Sequence, residues 1–200
     1  MSIVKLNNRA VKDATAVGSI TGLGNLVFIS RSTASSSSSL SITSGLTSTH
    51  KEYIFFFNNI HPSTNDTDIT FQASTNGGSS YGVTLTSTNF QANHFENDTT
   101  GFGYESGYDL AQSTSYQILN HSIGTDNDQS ASGILHLFEP SSSVFVKHFI
   151  YRGSCYHAAD LIIDAHVAGY FNTTSAINAL DFKMSSGNID SGTIDMYGVL

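Results

Sequence analysis

The sequence predicts an all-β fold, an antiparallel β-sandwich of jelly-roll-like type with a short N-terminal arm. Charged residues make up only 12% of the 200 residues, about half of the usual share, and uncharged Ser, Thr, Asn and Gly take their place. Ser, Thr and Asn hydrogen-bond to their own backbone, which lowers helix propensity. The 13 Phe and nine Tyr supply enough apolar area for a substantial core. A chain of this length is expected to form one domain.

Short β-rich runs recur at intervals of roughly 8–12 residues, the spacing typical of a two-sheet sandwich. Each run combines β-branched and aromatic residues and is bounded by Gly, Pro, Asn, Asp or Ser. Residues 53–60 are the strongest apolar run and are expected to be covered on both faces. In chain order, the predicted strands are residues 26–30, 40–42, 53–60, 69–73, 81–86, 133–139, 144–152, 161–170, 177–184 and 193–199.

Turn signals separate these strands. Asn76-Gly77-Gly78 predicts a hairpin that joins residues 69–73 to residues 81–86. Residues 140–143, Pro-Ser-Ser-Ser, predict a tight turn between two later strands. Residues 93–109 are rich in Asn, Asp, Gly and Tyr and predict a long loop system, the part of a domain where binding residues tend to lie.

The N-terminal arm, residues 1–30, is predicted to be separate in role from the sandwich, residues 31–200. Residues 1–24 show neither a helical period nor a clean alternation. The first 31 positions hold four basic residues and one acidic residue, hence a net charge of +3: Lys5, Arg9, Lys12 and Arg31 against Asp13. We interpret Lys5, Arg9 and Lys12 as a candidate attachment segment, with an ordinary first strand as the alternative.

Charge and cysteine content exclude several classes of protein. The net charge of −8 repels nucleic acid, so no nucleic-acid partner is expected. No apolar run approaches the ~18 residues that span a bilayer, so membrane insertion is not expected either. The single cysteine, Cys155, leaves burial or oligomer contacts as the source of stability, because one cysteine forms no internal disulfide.

The sequence predicts no catalytic residues, no metal site and no cofactor. Eight histidines occur without the spacings of a zinc site, although His136 and His148 lie on predicted neighbouring strands. Cys155 and His157 share one face of a predicted strand, but no third orienting residue is recognisable. Asp126-Asn127-Asp128 begins like a calcium loop, yet the twelfth position is Leu137 instead of the bidentate Glu. An Asx-rich turn is the interpretation that fits.

Aromatic and acidic side chains of the loop 93–109 form the candidate binding site. A flat aromatic face beside carboxylate or amide groups suits a carbohydrate or a protein interface. Loop aromatics that simply cover the sandwich are the alternative. The candidate residues are Glu96, Asp98, Tyr104, Glu105, Tyr108 and Asp109.

Five segments resemble a family of small structural proteins in tailed phages of marine bacteria, the cyanophages and their relatives. The matching segments are residues 3–9, 51–62, 145–150, 168–174 and 182–199. The resemblance spans nearly the whole chain and implies a non-enzymatic virion component. By fold-level analogy, such proteins serve as tail fibres and receptor-binding tips or as capsid decoration proteins, commonly as homotrimers.

The resemblance sets three expectations of function. The first is a tail-fibre or receptor-binding module, located in the virion, that contacts other virion proteins and a glycan of the host surface. The alternative is a cement or head-fibre protein bound to the major capsid protein. A polysaccharide depolymerase is a remote third class, because such enzymes usually have a longer scaffold and an acidic groove.

Overall fold

A computed structural model describes residues 25–200, which form twelve β-strands and contain no helix. No helix in this range is therefore long and apolar enough to cross a membrane. Every strand pairing is antiparallel, so the predicted all-β antiparallel class is confirmed. The strands are β1 (Leu26–Thr33), β2 (Leu40–Ile42), β3 (Glu52–Pro62), β4 (Thr67–Ser74), β5 (Leu85–Phe95), β6 (Thr100–Tyr104), β7 (Gln117–Ile123), β8 (Ala131–Phe138), β9 (Lys147–His157), β10 (Leu161–Phe171), β11 (Ala179–Met184) and β12 (Ile189–Val199).

The strands form one hydrogen-bonded sheet that branches at β9. An eight-strand section has the order β1-β12-β3-β8-β9-β10-β5-β6, and a four-strand section has the order β7-β4-β11-β2. The pairing of Ile123 with His157 joins β7 to β9 and so connects the two sections. The sheet is thus nearly closed and barrel-like, and the finer prediction of a jelly-roll-like sandwich is not confirmed.

Aromatic rings hold the two sections together. Phe71 on β4 and Phe182 on β11 are neighbours in register and are fully buried. The Phe71 ring lies 5.0 Å from Phe149 of β9, and the Phe182 ring lies 5.3 Å from Phe57 of β3, both edge to face. Edge-to-face pairs place the positive ring edge on the negative face of the partner. The core therefore lies between the four-strand section and the inner face of the eight-strand section.

A pair of glycines lets the core tyrosine pack directly under the sheet. Gly133 of β8 and Gly153 of β9 lie opposite each other, and a methyl group at either position would overlap the Tyr151 hydroxyl. That hydroxyl donates a hydrogen bond to the Asn120 side chain, so the fully buried phenol is satisfied.

Two local predictions around residues 74–109 are wrong. The turn at Asn76-Gly77-Gly78 forms, with both glycines at positive φ, but the next strand begins only at Leu85. Strand β4 pairs with β11 and β7, so the turn signal predicted the bend correctly and the pairing wrongly. The predicted long loop 93–109 contains the end of β5 and all of β6.

Strand β7 was not predicted, because polar residues interrupt its sequence Gln-Ile-Leu-Asn-His-Ser-Ile. Strand β1 crosses the boundary predicted at residue 30, since it pairs with β12 from Leu26 to Thr33. The candidate attachment residues Lys5, Arg9 and Lys12 lie outside the described residues.

We expect Phe182→Ala to lower the free energy of unfolding by about 3–5 kcal/mol, because it leaves a cavity between the two sections. Urea denaturation followed by circular dichroism measures this loss. The control is Phe145→Ala, a ring that is 72% exposed, which should change stability by less than about 0.5 kcal/mol. Equal effects of the two substitutions would contradict the proposed role of the Phe182 ring.

We expect Gly153→Ala to cost about 1–3 kcal/mol, because the added methyl displaces the Tyr151 ring from a close-packed site. The matched control is Gly107→Ala, since that position has open space around it. Thermal unfolding of both variants tests the expectation. A Gly153→Ala variant as stable as the Gly107→Ala variant would show that the Tyr151 pocket relaxes freely.

Candidate functional site

The six predicted site residues do not form one site. Strands β5 and β6 make a hairpin whose register runs from Phe90 opposite Tyr104 to His94 opposite Thr100. Glu96 and Asp98 follow β5 at the tip of this hairpin, while the other four residues lie at or beyond Tyr104. At about 3.3 Å per residue, the four-residue step along β6 separates the two groups by about 13 Å.

The tip of the hairpin borders a pocket of about 450 Å³. The Tyr156 hydroxyl donates to Glu96 Oε1 at 3.0 Å, and His94 Nε2 lies 3.2 Å from Asp98 Oδ1. The hydrogen bond to Glu96, helped by burial, raises the pKa of Tyr156 to about 12, so this phenol stays protonated and donates at neutral pH. The pocket is lined by His94, Phe95, Glu96, Asp98, Tyr156, Leu161 and Ile162.

At the base of the hairpin, the two predicted tyrosines have different surroundings. Tyr104 is 57% exposed, and its hydroxyl donates to the Asp109 carboxylate, which raises the pKa of Tyr104. Tyr108 is half-buried and stacks on the His121 ring with 4.2 Å between centroids. The Glu105 backbone N–H donates to the Asn89 carbonyl at 2.9 Å, which fixes the start of this loop. Tyr104 therefore presents a free ring face, and Tyr108 covers the interior.

The middle of strand β5, residues 87–91, places polar residues inward and Phe90 outward, the reverse of the usual pattern. Its exposed face carries Phe90, and its buried face carries Ser87, Asn89 and Gln91. Strand β7 receives two of these polar groups, since Ser87 donates to the Gln117 side chain and Gln91 Oε1 contacts His121. The interior beside β5 is therefore polar, and an aromatic side chain is left on the outer surface.

The outer face of the eight-strand section carries a row of side chains in register. Six of them come from β6, β5, β10, β9, β8 and β3 in turn: Tyr104, Phe90, His166, Arg152, Ile134 and Phe56. Phe102 lies beside this row on β6 and is 78% exposed. Sequence reasoning missed Phe90 and His166. The alternation along residues 85–95 was the signal that could have shown Phe90, whereas the position of His166 beside it depends on strand order.

Loops of the chain itself cover the outer face of the four-strand section. Gln72 Nε2 donates to the backbone carbonyls of Thr114 at 3.1 Å and Ser115 at 2.8 Å. The Tyr116 hydroxyl donates to Asp181 Oδ2 at 2.9 Å. Because Gln72 and Asp181 are buried, this side of the sheet is closed, whereas the outer face of the eight-strand section is open.

Cys155 is a buried core residue. Its Sγ donates to the His121 carbonyl at 3.5 Å, and burial raises the pKa of the thiol to about 12. The reactive thiolate is therefore scarce at neutral pH.

Two other sequence motifs have a structural explanation. His136 lies opposite Ile150 in the β8–β9 register, not opposite His148, and bonds the Glu52 carboxylate at 2.5 Å. Residues 126–129 form a hydrogen-bonded turn, in which the Gln129 N–H donates to the Asp126 carbonyl at 2.8 Å. Within residues 25–200, no group of three or more His, Cys, Asp or Glu side chains is arranged to hold a metal ion.

Comparison with protein-family models, with curated proteins and with solved structures finds no match to this chain. The resemblance to marine tailed-phage proteins therefore stays a prediction from the sequence.

Buried His121 makes the stability depend on pH. Burial, reinforced by the nearby His157 ring, lowers the pKa of His121 from 6.5 to about 4, while Asp68 and Asp66 oppose the shift. Its Nε2 lies 2.6 Å from Gln91 Oε1, so this nitrogen carries the proton of the neutral ring. Both folded and unfolded chains hold a neutral imidazole above pH 6.5. As the pH falls below 6.5, the imidazole is protonated in the unfolded chain before it is protonated in the folded chain, so protonation favours unfolding.

We therefore expect His121 to contribute a loss of about 2–3 kcal/mol of stability as the pH falls from 6.5 to 4. Urea denaturation across this range, compared with His121→Gln, isolates the effect from that of the carboxylates. The control is Phe145→Ala, a non-titrating ring that is 72% exposed, which should keep the wild-type slope. A wild-type slope in His121→Gln would contradict the expectation.

Proposed function

We propose that this protein is a non-enzymatic structural protein of a tailed-phage virion, displayed on the particle surface as a tail-fibre or receptor-binding module. The observation that supports the display role is the open outer face of the eight-strand section. Exposed apolar side chains on this face include Phe90, Phe102, Ile150 and Ile162. Phe90 and Phe102 are adjacent, with 6.0 Å between ring centroids, and adjacent exposed apolar side chains of this kind mark interaction sites. The phage assignment is supported by the sequence resemblance alone.

In this proposal the face contacts the host surface, with a surface glycan as the ligand. Residues 1–24 attach the chain to other virion proteins, and the assembly is a homotrimer that forms in the host cytoplasm. Catalysis has no part in the role, which is consistent with the buried thiol of Cys155 and the neutral imidazole of His121.

Capsid decoration is the second candidate, and the edge strand β1 favours it. Within residues 25–200, strand β1 pairs on one side with β12 and ends the strand order of the sheet. Its residues Leu26, Val27 and Phe28 are exposed and follow directly on residues 1–24. A free strand edge of this kind can pair with a strand of a partner protein, which suits tight attachment to a capsomer.

Gold-labelled antibodies against the folded protein, applied to intact particles, separate the two candidates. Label at the tail tip is expected from the receptor-binding role. Label over the head alone would favour decoration and contradict the fibre role. Particles without any label, in a preparation where labelled capsid protein is visible, would contradict both.

The charge of the N-terminal segment is also testable. We expect the triple variant Lys5→Gln, Arg9→Gln, Lys12→Gln to be lost from purified particles, because it removes the basic charge proposed for attachment. Immunoblots of particles and of the soluble fraction measure the partition. The control Lys51→Gln removes a surface charge from the loop before β3 and should leave incorporation unchanged. Normal incorporation of the triple variant would contradict charge-based attachment.

A further inference from the structure

We propose that the aromatic row formed by Tyr104, Phe90 and His166, with Phe102 beside it, binds a neutral polysaccharide in an extended conformation. This inference rests on the proposed function and specifies its ligand class and its site.

The row is a continuous platform across three strands. Tyr104 of β6 lies opposite Phe90 of β5, which lies opposite His166 of β10. The Phe90 and His166 rings are nearly parallel, at 11° and 4.7 Å between centroids, and Phe102 lies 6.0 Å from Phe90. Adjacent strands are about 4.8 Å apart, so successive rings are spaced on the scale of a pyranose unit. Because Phe90 and His166 stack on each other, the ring faces open to a ligand are those of Phe102 and Tyr104, which are 78% and 57% exposed. Sugar rings present apolar C–H faces that stack on such ring faces.

Polar groups are fixed at the end of the platform. Arg152 continues the row on β9 and donates two hydrogen bonds to the Asp164 carboxylate, at 3.2 and 2.9 Å. His166 Nε2 lies 3.4 Å from the same carboxylate. The bidentate pair holds the guanidinium in one orientation and leaves its other donors toward solvent. Hydroxyl groups of a bound sugar have both donors and acceptors within reach here.

The charge of this surface selects a neutral ligand. Asp164 compensates the positive charge of Arg152, so the row offers no uncompensated cation to a carboxylate or sulfate group. The chain as a whole carries a net charge of −8, which repels a polyanion. An acidic capsule polymer would therefore be disfavoured at this site.

The dimensions of the row favour a polysaccharide over a second protein. From their exposed fractions, the rings of Phe102, Tyr104 and Phe90 offer roughly 300–400 Å² of accessible surface, taking 150–250 Å² for a whole aromatic side chain. A stable protein interface needs about 800 Å² from each partner. Such interfaces are also depleted of Asp at their centre, whereas the Asp164 carboxylate lies 3.4 Å from the His166 ring. A narrow polymer that crosses the strands needs less area and uses those polar groups.

Affinity electrophoresis of the full-length protein tests the inference. The probes are three soluble neutral polysaccharides, hydroxyethyl cellulose, galactomannan and dextran, with alginate as the anionic comparison. We expect retardation by at least one neutral polymer, and at least a tenfold loss of affinity in both Phe102→Ala and Tyr104→Ala. Phe145→Ala is the matched control, because Phe145 is equally exposed but lies in the β8–β9 loop and should keep wild-type affinity.

Four results would overturn the inference. They are no retardation by any of the three neutral polymers, stronger retardation by alginate, an equal loss in Phe145→Ala, or a dimer in sedimentation velocity that Phe102→Ala dissociates. The last would identify the row as a contact between copies of the chain. Thermal unfolding of each variant confirms that the fold is retained.

The outcome is separable from that of the proposed function. Label at the tail tip without binding of neutral polysaccharide would overturn this inference alone. Binding that depends on Phe102, in a protein that is absent from particles, would overturn the virion assignment alone.

Discussion

The packing of Phe182 and Phe71 against rings of the eight-strand section is the contact on which the rest of the structure depends. The four-strand section is tied to β9 by the pairing of Ile123 with His157 and by the flanking backbone hydrogen bonds from Gly124 to Tyr156 and from Ala158 to Ser122, which hold its β7 end. The buried aromatic rings determine the position of the rest of the four-strand section. Phe182 contacts Phe57 from one side, while Phe71 contacts Phe149 from the other. Fully buried aromatic side chains supply large apolar areas, and their edge-to-face geometry sets how far the sheet closes on itself.

This closure makes the two outer surfaces unequal. On the four-strand section, the loop that precedes β7 binds buried polar groups such as Gln72 and Asp181. This loop covers the outer surface of the section. On the eight-strand section, the alternation of β5 is reversed, with Gln91 satisfied in the interior by His121 and Phe90 left outside. The polar side chains of the interior and Phe90 of the exposed aromatic row lie on opposite faces of the same strand, β5. The proposed binding role and the predicted pH dependence of stability both depend on this arrangement.

Much of the fold could be predicted where apolar periodicity was strong. Strands β3, β8, β9 and β10 carry β-branched and aromatic residues in patterns that a half-buried strand requires. Strands β5 and β7 could not be predicted because their buried positions hold Gln91, Asn120 and His121, whose burial is tolerable only with partners from distant parts of the chain. Of the site, Tyr104 was found from the composition of its loop. His166 could not be identified from the sequence, because its position beside Phe90 depends on the strand order.

The sequence by itself determined the all-β class, because the scarcity of helix-forming residues and the abundance of Phe, Tyr, Ser and Thr act locally on every segment. It also determined the absence of an internal disulfide, through the single Cys155. Only the tertiary structure decided that the sheet is one nearly closed surface, that Tyr108 covers the interior while Tyr104 faces outward, and that Phe90 meets His166. The physical reason is that register and strand order arise from long-range pairing, which no local pattern encodes.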